Sequence, residues 1–391
     1  MKKTHKEFLA NKEQFYTRID HFVAFRMYQK YKNDLKLNNV VQIIGTNGKG
    51  STGRYLTQLL FGLGYKVGHY TSPHIFDFNE RFFLNDKIVS DEELEISYNK
   101  LCEIFKEDME KISYFEYATF LACVIFKDCD FVILEAGVGG EYDATSVFDR
   151  KLSIFTNIGF DHTNALGKTL KNIARTKLKT MAKNAILQDK NQNKIVIELA
   201  RKIATLKSSN LFFTKDFIDD DLNKELKKYY KKYKLPNFLI NNLKLSLSAC
   251  VFLTSKSKTL ASFKNLDKLN LRGRCEKISD NIYIDVGHNP MAAKAIVNEL
   301  KGKKIDLIYN CFLDKNIYDI LKTLKPIVDK IKVYDYKTHG RKLATDEIKN
   351  ISKSLGIACE KFYKLDLNKI NLVFGSFVLV ENFLREYFGK K

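Results

Sequence analysis

The stretch "VVQIIGTNGKGSTGRYLTQLL", residues 40–60, joins an apolar run to an amphipathic one through a glycine-rich turn. VVQIIG (40–45) reads as a buried strand and GSTGRYLTQLLFGLG (50–64) as the helix after it. Gly45, Gly48 and Gly50 let the turn tighten and point its N–H groups inward, Lys49 adds a point charge, and the helix offers its positive end. Ser51 or Thr52 can reach a Mg²⁺ bound to phosphates. Together they describe a phosphate-binding loop. Its spacing departs from the common nucleotide loop, in which the hydroxyl residue directly follows the lysine. Here Gly50 intervenes between Lys49 and Ser51.

Outward from this loop the chain keeps alternating. KVGHYTSP (66–73) is a second strand ending in a loop, YATFLACVIFKD (117–128) a helix, and FVILEAG (131–137) and LSIFTNIG (152–159) further strands. Strands apolar on both faces, interleaved with helices, imply a parallel sheet covered on both sides. KNLDKLNLRGRCEKI (264–278) breaks the pattern, and NIYIDVG, IDLIYNCF, IKVYDY and NLVFGSF open a second alternating series. The expected fold class is α/β: an N-terminal P-loop parallel-sheet ATPase domain over 1–268 and a smaller, Rossmann-like C-terminal α/β domain over 269–391.

The 391 residues are 45% hydrophobic, enough for two cores, and no apolar run approaches the ~18–20 residues of a membrane span. The first residues, MKKTHKEFLANKEQF, carry charge throughout, unlike a secretory signal. The seven cysteines form no CxxC pair or zinc-type spacing. A cytoplasmic protein without a membrane partner is expected. The net charge of +20 admits a nucleic-acid binder, but the basic residues are spread along a chain also rich in Asn, Ile and Phe, and charge alone decides nothing.

Two strands end in groups with chemistry. Glu135 closes FVILE ahead of a glycine-rich loop, and a carboxylate there lies in the crevice where α/β proteins bind ligands. Asp161 and His162 follow LSIFTNIG, where a neutral imidazole can face magnesium or phosphate. In the second series Asn289–Pro290 starts a helix, which places Asp285 and His288 at a strand-to-helix turn.

With these residues in view the chain resembles folylpolyglutamate synthase and the bifunctional dihydrofolate synthase, Mur-type ATP-dependent amide ligases. The resemblance is carried by GTNGKGS (45–51), YTSPH (70–74), NERF (79–82), YFEYATF (114–120), ILEAGVGGEYDATS (133–146), DHT (161–163), IARTK (173–177), GRCEKI (273–278), DVGHNP (285–290), FLDKN (312–316) and FGSF (374–377). It implies that Gly45, Thr46, Asn47, Gly48, Lys49, Gly50, Ser51 and Thr52 hold ATP phosphates, with Asn242, Arg274 and Asp285 also on the nucleotide. It implies two Mg²⁺ ions, one on Ser51, Ser72 and Glu135, the other on Glu135, His162 and Lys177 after the lysine amine has become a carbamate with CO₂. His288 and Ser376 would serve the transferring phosphate and the incoming glutamate, and Phe115, Glu116, Tyr117 and Asp143 the folate. The implied reaction is glutamate addition to dihydropteroate or a reduced folate through an acyl phosphate, by a monomer that binds no nucleic acid. A peptidoglycan-type amino-acid ligase is the alternative. Where many bacterial relatives carry Arg-Leu-Asp-Ala-Thr-Asn after GVGG, this chain has Glu141-Tyr142-Asp143-Ala144-Thr145-Ser146.

Overall fold

The computed structural model describes residues 3–12, 20–338 and 340–389. They divide into two units. The first runs up to Leu235 and includes Leu239–Leu269; the second holds Pro236–Phe238 and the chain from Asn270 onward.

The strands of the first unit are β1 (Val40–Ile44), β2 (Val67–Tyr70), β3 (Phe82–Leu84), β4 (Lys87–Ile88), β5 (Phe131–Glu135), β6 (Leu152–Phe155), β7 (Asn184–Leu187) and β8 (Asn210–Phe213). They form one sheet in the order β4-β3-β2-β5-β1-β6-β7-β8. β1 lies at its centre, parallel to β5 and β6, and every residue of β1 and β5 is buried. Full burial on both faces is what their unbroken apolar runs require. The sheet is not parallel throughout: β3 pairs antiparallel with β2 and with β4, forming an edge that the alternation does not foretell. The helices are α1 (His5–Ala10), α2 (Val23–Tyr31), α3 (Lys49–Phe61), α4 (Asp91–Phe105), α5 (Tyr114–Ile125), α6 (Thr163–Leu166), α7 (Leu170–Leu178), α8 (Lys194–Leu206), α9 (Asp220–Tyr233), α10 (Asn237–Leu253) and α11 (Lys256–Lys264). α4 and α5 each start at a serine whose hydroxyl and a glutamate three residues on satisfy each other's backbone N–H, which fixes both helix starts.

The second unit is a six-stranded sheet in the order β13-β12-β11-β14-β10-β9. Its strands are β9 (Glu276–Ser279), β10 (Ile282–Asp285), β11 (Ile305–Tyr309), β12 (Val328–Val333), β13 (Ala358–Lys361) and β14 (Ile370–Phe374). They are parallel except for β9, which runs against β10. The accompanying helices are α12 (Pro290–Glu299), α13 (Ile317–Leu324), α14 (Thr345–Leu355) and α15 (Phe377–Phe388). Among the described residues no helix is long and apolar enough to cross a membrane.

Candidate active site

In a parallel sheet the loops at the carboxyl ends of neighbouring strands share one rim. β2, β5, β1 and β6 are consecutive in the first sheet, so the segments after Tyr70, Glu135, Ile44 and Phe155 meet there. The glycine-rich loop is held on that rim from two sides. Thr46 donates its N–H to the Asn157 carbonyl at 2.9 Å, and its hydroxyl reaches the Gly159 carbonyl at 3.1 Å. From the other side Asn242 of α10 donates to Ser51 Oγ at 3.4 Å, and Ser246 donates to the Thr52 carbonyl at 2.8 Å. Gly48, which caps α3, has φ 90°, and a side chain there would also strike the Asn242 carboxamide. The resemblance places Asn242 on the nucleotide; here its contacts shape the loop.

Gly45 is fixed by packing. A Cβ on it would lie 1.8 Å from Thr156 Oγ1. Gly45→Ala is expected to destabilise the fold by about 1–3 kcal/mol through overpacking. Urea unfolding checks this, and adding Thr156→Ala should recover most of the loss. Equal midpoints for wild type and the single variant would contradict it.

Glu135 ends β5, 4% exposed. Its Oε2 accepts from the Thr71 hydroxyl and from Ser72 N–H at 3.3 Å, and its Oε1 stands 3.8 Å from Lys49 Nζ. Thr71 was not among the residues singled out from the sequence, although its hydroxyl beside Ser72 at a strand end was a readable signal. Lys177 of α7 is buried and donates from Nζ to the Gly45 carbonyl at 2.7 Å. Burial first, then the Lys49 charge, pushes its amine down to about 7, against the pull of Asp161 and Asp143. His162 is exposed, sits in the left-handed region at φ 49°, and has Nε2 3.9 Å from Asp161 Oδ1. Lys49, Ser51, Ser72, Glu135, Lys177 and Asn242 are thus joined through the loop by short contacts, with His162 on the adjacent strand end.

Two of the residues expected at the folate are engaged within the protein. Tyr117 is fully buried in the core, and its hydroxyl lies 2.6 Å from His5 Nδ1. Asp143 is also buried. Its two oxygens take Gly137 N–H at 2.8 Å, Val138 N–H at 3.2 Å, Thr145 N–H at 3.0 Å and the Thr145 hydroxyl at 2.6 Å. It clamps its own loop; burial raises its carboxyl, and those four donors oppose the rise. Glu116 is half-buried and closes the cap of α5 by accepting Ser113 N–H at 2.7 Å. Phe115 is half-buried, against Gly137. Glu141 turns to α7 and pairs with Lys179 at 2.7 Å.

The rim segment after β2 contains a second ordered element. Arg81 is 6% exposed, with its guanidinium carbon 5.3 Å from the Tyr114 ring centre and 5.6 Å from that of Phe78. Its Nε–H donates to His74 Nδ1 at 3.0 Å, and its carbonyl accepts Thr71 N–H at 2.9 Å. Burial, then the Arg81 charge, holds the His74 ring down at about 3.

In the second unit β10 and β14 are parallel neighbours, with Asp285 opposite Phe374. The turns carrying Asp285, His288 and Ser376 therefore share a rim, and Arg274 precedes β9, the antiparallel neighbour of β10. Asp285 accepts Gly287 N–H at 2.7 Å and Cys275 N–H at 2.8 Å; burial raises its carboxyl, partly offset by these bonds and by Arg274. His288 Nδ1 is 3.1 Å from the Val286 carbonyl. Ser376 caps α15, accepting Leu379 N–H at 3.0 Å, and lies 3.1 Å from the Tyr336 hydroxyl.

A central phosphate loop beside a buried carboxylate and a buried amine, followed by a second α/β unit, defines an ATP-dependent ligase of the Mur type, and residues 43–242 match the Mur ligase middle domain. Over 383 residues the chain is 33% identical to a dihydrofolate synthase/folylpolyglutamate synthase from Buchnera aphidicola subsp. Baizongia pistaciae, covering 88% of this chain and 86% of that protein. It is 29% identical to the protein of the same description from Haemophilus influenzae, over 88% of each. The chain belongs to the dihydrofolate synthase/folylpolyglutamate synthase family of ATP-dependent ligases. Among solved structures, folylpolyglutamate synthetase from Helicobacter pylori superposes with a TM-score of 0.78 at 39% identity over 98% of both chains. E. coli FolC in complex with DHPP and ADP shares the fold, with a TM-score of 0.79 at 24% identity over 98% and 96%. These relatives favour the folate reading over the peptidoglycan one.

Proposed function

We propose that the chain couples ATP hydrolysis to an amide bond between the α-amine of L-glutamate and the carboxylate of dihydropteroate or a reduced folate. A carboxylate is a poor acyl donor at neutral pH. Accepting the γ-phosphoryl group of ATP makes it an acyl phosphate, which the amine attacks with expulsion of phosphate. The glycine-loop N–H groups and Lys49 would grip the triphosphate and offset the charge that develops during transfer. Asn242, Arg274 and Asp285 would hold the rest of the nucleotide, and His288 and Ser376 the glutamate side.

The observation that carries this reading is the convergence on the glycine-rich loop of Glu135, 3.8 Å from Lys49, and Lys177, bonded to the Gly45 carbonyl. Its chemistry suits a hard divalent cation: Glu135, Ser51 and Ser72 offer oxygen donors. Those three residues would hold one Mg²⁺, and Glu135, His162 and Lys177 a second. Magnesium there would supply positive charge against the repulsion between triphosphate and carboxylate. Lys177 would first add its neutral amine to CO₂, forming an N–C bond and releasing a proton, which replaces a cation by an anionic oxygen ligand. An amine lowered to about 7 has a substantial neutral fraction near neutral pH, far above that of an ordinary lysine, which supports that step. Phe115 is the remaining aromatic candidate on the folate side. We further infer a cytoplasmic monomer acting on small molecules alone; all seven cysteines are free thiols, as suits a reducing compartment.

The test is ADP release by the purified protein with glutamate and, in turn, dihydropteroate and tetrahydrofolate. Release is expected only when glutamate and at least one pterin are both present. Release driven by a nucleotide-linked muramyl acceptor, with none from pterins, would replace this reading.

A further inference from the structure

We propose that Tyr336 is a positioning residue of the glutamate side: its hydroxyl donates to Ser376 Oγ, which leaves that serine a donor alone, suited to a carboxylate of the incoming glutamate. The proposal rests on the ligase reading above, which puts Ser376 beside the glutamate.

β12, β11 and β14 are consecutive in the second sheet. Tyr336 follows β12 and Ser376 follows β14, so the phenol reaches across the end of β11 to lie 3.1 Å from the serine oxygen. Two strand spacings, roughly 10 Å, separate those strand ends. Asn310, the residue after β11, holds both sides of the reach. Its carboxamide donates to the Tyr334 carbonyl at 3.1 Å and to Asp335 Oδ1 at 3.2 Å. Its carbonyl faces Gly375, where φ is 144° and a Cβ would stand 2.2 Å from that oxygen. The segment that leads to the serine is thus pressed against the residue that anchors the segment of the tyrosine.

A hydroxyl group has two acceptor sites and one hydrogen. Ser376 fills one acceptor site with Leu379 N–H at 3.0 Å, the cap of α15. Burial raises Tyr336 above the ordinary tyrosine value, so the phenol keeps its proton and has it to donate. With that donation both acceptor sites are filled, and the serine's own hydrogen remains for a ligand. Glutamate offers carboxylates and an amine. A serine that only donates, at the positive end of a helix of 12 residues, takes a carboxylate and turns the amine away. The amine is thereby left for the acyl carbon.

Tyr336→Phe keeps the ring and removes the hydroxyl. Ser376→Gly removes the serine oxygen and leaves a residue that is itself tolerated as a cap. With ATP and the pterin active in wild type, each variant is expected to raise the KM for glutamate by roughly 10-fold. The KM values for ATP and the pterin should stay within about twofold. The double variant should be no worse than Ser376→Gly, because Tyr336 acts through the serine. The proposal falls if Tyr336→Phe leaves the glutamate KM unchanged, if the two effects multiply in the double variant, or if all three KM values rise together, the mark of a merely structural loss. A glutamate KM unmoved by Ser376→Gly would instead take the serine off the glutamate side. A wild type without pterin-dependent ADP release would remove the ligase reading itself.

Discussion

Lys177→Met should make the protein harder to unfold while removing most of its ligase activity. In the unfolded chain the amine titrates at its ordinary 10.5; in the fold it is buried and lowered to about 7. Between those values the unfolded state binds more protons, so the fold gains stability as pH rises from about 7 toward 10.5. The penalty is fully present below 7 and gone above 10.5. Methionine keeps the length of the side chain and removes the ionisable group, at the cost of the 2.7 Å bond to the Gly45 carbonyl. A net gain on the order of 3 kcal/mol is expected at pH 7, shrinking as pH is raised. Thermal or urea unfolding of both proteins across pH 6.5–10 measures it, and a gap that widens with pH would contradict the sign. Ligation should fall by about 10²–10³-fold, the scale of one lost electrostatic contact in an active site, with nucleotide still bound. Wild-type turnover in this variant would remove the carbamate from the mechanism.

Glu135→Gln should abolish Mg²⁺-dependent ligation with little change in fold. The amide can still accept from Thr71 and from Ser72 N–H, so the turn after β2 keeps its anchor. What is lost is negative charge 3.8 Å from Lys49 and at the proposed metal position. Glu135→Ala should lose activity as well and cost about 1–3 kcal/mol in stability, because two buried donors are stranded. Comparing the two variants separates charge from scaffolding. Mg²⁺-dependent amide formation surviving in Glu135→Gln would refute the metal assignment.

Much of the architecture was legible because it is written in periods of apolar residues. VVQII and FVILE read as buried strands and are fully buried, and GTNGKGS between strand and helix carries the residue types of a phosphate loop. What escaped was directional. Most residues of α5, from Tyr114 to Cys123, are buried, so no amphipathic pattern says which aromatic faces a ligand, and Tyr117 went to the core. Asp143 stands in a motif that suggests a substrate contact, yet its bonds run five and six residues back and two residues on along its own loop, a geometry no spacing announces. Lys177 by itself is one lysine among many, singled out in the sequence only by the resemblance; its bond to the Gly45 carbonyl, 132 positions away, no local pattern announces.

The tie between α10 and the phosphate loop bears on how the protein is made. Asn242 reaches Ser51 across 191 positions of chain, and Ser246 reaches Thr52 across 194. A ribosome delivers Ser51 long before it delivers its brace. The emerging N-terminal stretch therefore carries a loop without this brace until α10 has cleared the exit tunnel. A chain interrupted ahead of Asn242 would keep the motif and lack the grip.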